Sequence, residues 1–170
     1  MTSAGWLFLL GLDAALTAVD GSRHTFDFAS PKATAVIFVS TVCPVANDYN
    51  RRIGELWSEF GSRRDVGFLV VYPNKTESLE AVREHAAAMG FPFPVYRDDN
   101  NVLADRLGAR ITPTAAVTGA DGAIRYLGPI DDAVNPARVK RRLLREAIRS
   151  TLAGRQMRRI VSASAVEPYG

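Results

Sequence analysis

Two spacings of apolar residues alternate along this chain. Ala33 to Val39 is continuously apolar and rich in branched residues, the pattern of a buried strand. Beyond Pro44 the spacing lengthens. Val45, Tyr49, Ile53, Leu56, Trp57 and Phe60 recur as one face of a helix does, which predicts a helix over 44–60 ending near Gly61. Val66 to Tyr72 is a second continuously apolar strand, stopped by Pro73-Asn74. Thr76 is placed to cap the next helix, and Gly90 to end it.

The flanking segments read more weakly. Asp20-Gly21 is a turn signal, and His24 to Phe28 alternates as a short strand before Ser30-Pro31 breaks the chain. Phe93 to Tyr96 is a short strand, and Asn101 to Leu107 a short helix ended by Gly108. Thr114 to Val117 and Ala123 to Leu127 are strands joined by Gly119-Ala120-Asp121-Gly122, a hairpin signal. A basic helix from about 137 to 153 follows, with Gly154 placed to end it. Strands alternating with helices imply parallel pairing early in the chain, and the late hairpin adds antiparallel strands. The economical fold is α/β, a mixed central sheet with helices on both faces.

Composition sets the bounds. The 170 residues are 47% hydrophobic, enough for one compact domain with a real core. The expected boundaries are an N-terminal extension or degenerate signal segment over 1–15, a domain over 16–153 and a tail over 154–170. Trp6 to Leu12 is apolar, but no Lys or Arg precedes it and Asp13 interrupts it, so cytoplasmic and exported readings both stay open. The run is far too short to span a bilayer. Residues 136–160 carry nine basic residues against one acid, so the rest of the chain is net negative. Within that segment Val139, Leu143, Ala147, Ile148 and Leu152 form an apolar stripe, which assigns the charges to a solvated helix face. Without interleaved aromatics, no nucleic-acid partner is expected.

Cys43 is the only cysteine, which excludes an internal disulfide. His24 and His85 share no metal-ligand spacing with it, so neither a metal nor a cofactor is expected. Its position is what marks it. It falls where the strand ends and the helix begins, directly before a proline, a residue favoured at the first helical position. The sulfur is thereby placed beside unpaired N–H groups that favour a thiolate. Helix N-termini can lower the ~8.5 of a free thiol to roughly 3.5–7.5. Cys43 is therefore either a nucleophile or a small core hydrophobe. The rate at which it alkylates across pH separates the two.

Phe38-Val39-Ser40-Thr41-Val42-Cys43-Pro44-Val45-Ala46-Asn47 resembles the strand-to-helix active-site turn of the thioredoxin-like superfamily, in its redoxin (AhpC/TSA-type, peroxiredoxin-like) branch. Ile111-Thr112-Pro113 falls where such proteins carry a cis-proline facing the active cysteine, and the closing hairpin and helix complete the likeness. The resemblance covers roughly 16–153 and implies a three-layer thioredoxin-like sandwich. It also implies a catalytic Cys43 supported by Ser40, Thr41, Pro44, Thr112 and Pro113. Ser40 matches the Thr or Ser that peroxiredoxins place three residues before the cysteine.

The departures are specific. Ala46 stands where a dithiol site has its second cysteine, Val36 where peroxiredoxins have a proline, and Ile37 where thioredoxins bury an acid. The implied activity is that of a thiol-dependent oxidoreductase working through one cysteine. It would reduce a peroxide or exchange with a protein disulfide, with an external thiol as reductant. Arg110 or Arg125 is a candidate to supply positive charge near the sulfur, against the default reading of each as a surface arginine. The competing reading is a non-catalytic protein-binding module of the same fold, supported by Ala46.

Overall fold

The computed structural model describes residues 13–73 and 75–155. Their strands form one sheet in the order β2-β1-β5-β4-β3-β6-β7. These are β1 (Asp13–Ala18), β2 (Arg23–Asp27), β3 (Ala33–Phe38), β4 (Val66–Tyr72), β5 (Val95–Arg97), β6 (Thr114–Gly119) and β7 (Ile124–Gly128). β3, β4 and β5 run parallel to their neighbours in that trio, whereas the β1–β2, β1–β5, β3–β6 and β6–β7 pairings are antiparallel. The sheet is mixed, as the alternation of elements predicts.

The continuous apolar character of β3 has a direct cause: both its faces are covered. Ala33, Ala35 and Ile37 join one core with Ile53, Leu56 and Phe60 of helix α2 (Asn50–Phe60), Val82 of α3 (Leu79–Met89), and Leu144, Ala147 and Ile148 of α5 (Leu143–Leu152). Val36 and Phe38 join a second core on the opposite face, with Leu103, Ala104 and Leu107 of α4 (Val102–Leu107). This α/β sandwich is the thioredoxin-like architecture.

Several boundaries differ from the sequence reading. β1 was not expected: its alanines are weak strand formers, but burial alternates at Ala14 and Leu16, and β2 and β5 pair with it. It begins inside the segment read as an extension, of which residues 1–12 lie outside the described residues. The third helix is capped by Ser78, not Thr76. The Ser78 hydroxyl accepts the Ala81 N–H at 3.1 Å. Gly90 and Gly108 do end their helices, with φ of 58° and 76°.

Two helices are shorter than periodicity suggests. The span 44–60 divides into α1 (Pro44–Asp48) and α2 at Tyr49. There the Tyr49 N–H reaches the Ala46 carbonyl, three residues back, at 3.1 Å, a tighter turn than the α-helical one. The basic helix begins at Leu143 rather than near 137. A 3₁₀ turn at Pro136–Arg138 is capped by the Asn135 side chain, and Val139 is extended. The following stretch pairs with the loop after β7. Lys140 N–H donates to Asp132 Oδ1 at 3.0 Å, and Asp132 N–H to the Arg141 carbonyl at 3.2 Å. Arg158 and Arg159 lie outside the described residues. Among those described, no helix is long and apolar enough to cross a membrane.

Candidate active site

The parallel strands place their C-terminal ends on one edge of the sheet, where open α/β sheets bind ligands. Phe38 pairs with Val71 on one side and Thr114 on the other. The turn leaving β3, the loop leaving β4 and the Thr112-Pro113 segment entering β6 therefore converge. Cys43 sits in that turn as the residue capping α1, with φ −86° and ψ 108°, and Pro44 opens the helix. It is half-buried. Its S–H donates to the Thr112 carbonyl at 3.5 Å, a contact across 69 residues. The Thr112–Pro113 peptide bond is cis. Both residues are buried.

Among the described residues, no hydrogen bond joins Ser40 or Thr41 to the sulfur. They anchor the turn from below. The Ser40 hydroxyl donates to Glu77 Oε1 at 2.5 Å, and the Thr41 N–H donates to the same oxygen at 2.9 Å. The Val42 N–H then donates to the Ser40 hydroxyl at 3.3 Å. Glu77 itself is only 6% exposed. A buried carboxylate thus reaches the turn that carries Cys43, although Ile37 is apolar core. It comes from the loop between β4 and α3 rather than from β3. That loop leaves a parallel strand at its C-terminal end, and this was the only sequence signal that could have singled Glu77 out.

A second network braces α1. Asn47 Oδ1 lies 3.0 Å from His85 Nε2, and His85 Nδ1 lies 2.8 Å from the hydroxyl of Tyr72, which is fully buried. Burial pushes the Tyr72 phenol well up and the His85 imidazole down from their ordinary values, the charge of Glu77 opposing the latter shift. With Tyr72 held as a phenol, its O–H donates to Nδ1 and the neutral imidazole donates from Nε2 to Asn47. In the sequence His85 showed only that it shares no metal-ligand spacing with Cys43; the packing of α3 against β4 gives it this place.

Arg110 and Arg125 are each paired with a carboxylate, Arg110 with Asp105 at 3.2 Å and Arg125 with Asp121 at 2.7 Å in the hairpin. Ala46, at the position of a second thiol, is 1% exposed and packs in the core.

A turn of this kind on this sheet defines a thioredoxin-like protein. The chain matches the model of the AhpC/TSA family over residues 12–127 and belongs to that family. Among solved structures it is similar to an uncharacterized conserved protein from Geobacillus kaustophilus. That pair shares 24% identity and a TM-score of 0.73, covering 93% of this chain and 85% of that one. It is also similar to a hypothetical protein from Sinorhizobium meliloti, at 24% identity and a TM-score of 0.72, covering 93% and 87%. A putative protein disulfide isomerase from Bacteroides thetaiotaomicron matches at 19% identity and a TM-score of 0.66, covering 84% and 87%. These likenesses show the fold. No match was found among curated proteins.

Proposed function

We propose that this protein is a thiol-dependent oxidoreductase that works through Cys43 alone, with an external thiol as reductant. The observation that carries the reading is the placement of the only cysteine, half-buried at the start of α1 and 3.5 Å from the Thr112 carbonyl beside cis-Pro113. Membership of the AhpC/TSA family supports it.

With a peroxide as substrate, the Cys43 thiolate attacks one peroxide oxygen. The O–O bond breaks, the sulfur becomes a sulfenic acid, and the leaving alkoxide or hydroxide takes up a proton. A first external thiol displaces water from the sulfenic acid to give a mixed disulfide. A second thiol releases Cys43 and leaves as the oxidised disulfide. With a disulfide as substrate, Cys43 enters at the mixed-disulfide stage, and one external thiol completes the exchange. Ala46 requires the resolving thiol to come from outside in both cases. Glu77, through Ser40 and Thr41, holds the turn that presents the sulfur.

The test is mass spectrometry of Cys43 after limiting peroxide, with and without a small thiol. A sulfenic adduct converting to a mixed disulfide is the expected result. An untouched thiol, or peroxide and disulfide turnover undiminished in Cys43→Ser, overturns the proposal. The second reading, a non-catalytic binding module, rests on Ala46 and predicts that Cys43 alkylates only on unfolding.

A further inference from the structure

The basic segment after residue 136 has no part in the chemistry of Cys43, yet the fold packs it against α2. Between them lies a cleft of about 180 Å³. Arg51, Arg52 and Glu55 line it from α2, Asp131 from the loop after β7, and Arg142 and Arg145 from the start of α5. We propose that this cleft binds a small dianion, of the phosphomonoester or dicarboxylate type.

Charge is the first argument. Four guanidinium groups face two carboxylates, a balance of +2 at the lining. Their engagement is uneven. Arg52 is tied to Asp131 at 2.7 Å, and Arg145 to Glu59 at 2.7 Å. Arg51 and Arg142 instead share one carboxylate, Glu55, at 3.9 and 3.8 Å. At those separations the attraction remains but no hydrogen bond forms, and neither guanidinium makes one elsewhere among the described residues. Each carries five N–H donors in a planar fork suited to a phosphoryl or carboxylate group. Two such forks beside a single shared acid leave one positive charge between them, within the +2 of the whole lining, and N–H donors that no protein acceptor takes among the described residues; a dianion matches the lining balance and engages both forks.

Size and lining narrow the class. The cleft falls below the roughly 300–1,000 Å³ of sites for drug-sized ligands, so the ligand is small. Leu56, Ile130 and Val139 also line the cleft and offer an apolar wall to a short carbon body. An extended polyanion is read along a basic stripe, whereas these guanidinium groups gather around one small cleft, which favours a discrete small ligand.

The proposal is independent of the redox reading, because nothing in the cleft uses the thiol. It is tested by thermal unfolding and titration calorimetry of the full chain. The ligands are inorganic phosphate, phenyl phosphate and succinate, with chloride holding the ionic strength constant. A saturable rise in Tm with phosphate, phenyl phosphate or succinate, beyond that with chloride, is expected, and which of them acts assigns the headgroup. The double variant Arg51→Gln/Arg142→Gln alters two exposed side chains, and its unliganded Tm shows that it folds. It should weaken binding by at least about tenfold. Arg64→Gln, an exposed arginine outside the cleft, should bind as the parent does, and so should Cys43→Ser. A response no greater than that to chloride, or a double variant binding like the parent, overturns the proposal.

Discussion

The hydroxyl of Ser40 and the carboxylate of Glu77 are joined at 2.5 Å although 37 residues separate them in the chain. Both are buried, at 3% and 6% exposure. A second donor, the Thr41 N–H, meets the same carboxylate oxygen. The turn carrying Cys43 therefore rests on an acid contributed by a different loop, and its geometry depends on how β4 and β3 lie side by side.

Removing that acid should loosen the turn. Glu77→Ala strands a buried hydroxyl and a partly buried amide, a loss of about 1–3 kcal/mol. Glu77→Gln keeps an acceptor oxygen in place and should lose less. Urea unfolding measures the cost, and faster amide exchange at Thr41 in the alanine variant locates it. Equal losses in both variants would show that the carboxylate charge, rather than the acceptor, holds the turn.

Arg52 and Asp131 form the most buried ion pair among the described residues, with side chains 11% and 7% exposed. Arg52 also donates to the carbonyls of Ala133 and Val134, and its guanidinium lies 3.8 Å above the Tyr49 ring. Arg52→Met leaves Asp131 buried and unpaired, which should cost about 3–5 kcal/mol. Adding Asp131→Leu should restore a large part of that loss. A double-mutant cycle by denaturant titration decides it. If the single and double variants are equally unstable, the carbonyl bonds matter more than the charge pair.

His85 predicts a pH dependence of stability. Its folded-state pKa lies below the ordinary 6.5 because burial disfavours the imidazolium. As pH falls past that ordinary value, the unfolded chain takes up a proton before the folded one does. The unfolded state is then favoured. The stability due to neutral His85 is therefore complete above about 6.5, and is lost progressively below it until the folded pKa is reached. His85→Gln should flatten this slope below about pH 6.5, as read from urea midpoints. A slope unchanged in the variant would assign it to another group.

Two glycines should differ in their response to alanine. Gly90 has a φ of 58° with open space beside it, so Gly90→Ala meets only backbone strain, about 1 kcal/mol. Gly61 has an ordinary helical φ of −64°, but an added Cβ would lie 2.4 Å from the Trp57 ring. That ring is held edge-on against Phe68, with centroids 5.7 Å apart. Gly61→Ala should therefore cost about 1–3 kcal/mol through overpacking. Thermal unfolding of the two variants ranks them, and a larger loss at Gly90 would contradict the steric argument.

Local signals account for what was legible in the sequence. The continuous runs at Ala33 to Val39 and Val66 to Tyr72 are strands because both faces of those segments are apolar, and no other local structure buries such a run as simply. Glycine ended α3 and α4 where a left-handed residue is needed. Cys43 before Pro44 marked the strand-to-helix turn, since proline at the first helical position is a local preference. The same local reasoning overran at Tyr49 and at residues 139–142. The helical period continues through both, but a tighter turn from the Tyr49 N–H to the Ala46 carbonyl breaks the first, and pairing of residues 140–141 with Asp132 in the loop after β7 breaks the second. It also passed over β1, whose alanines give little strand signal without the neighbours that pair with them.

Sequence alone determined the α/β order, the lone sulfur at the head of α1 and the lack of a second thiol at Ala46, because each follows from residues adjacent in the chain. Tertiary structure decided what stands around that sulfur: Glu77 beneath the turn, Thr112 opposite it, His85 bracing α1, and the arginine cleft along α2. Those groups come from segments tens of residues apart. Their meeting depends on strand order and register, which the periodicity of any one segment does not encode.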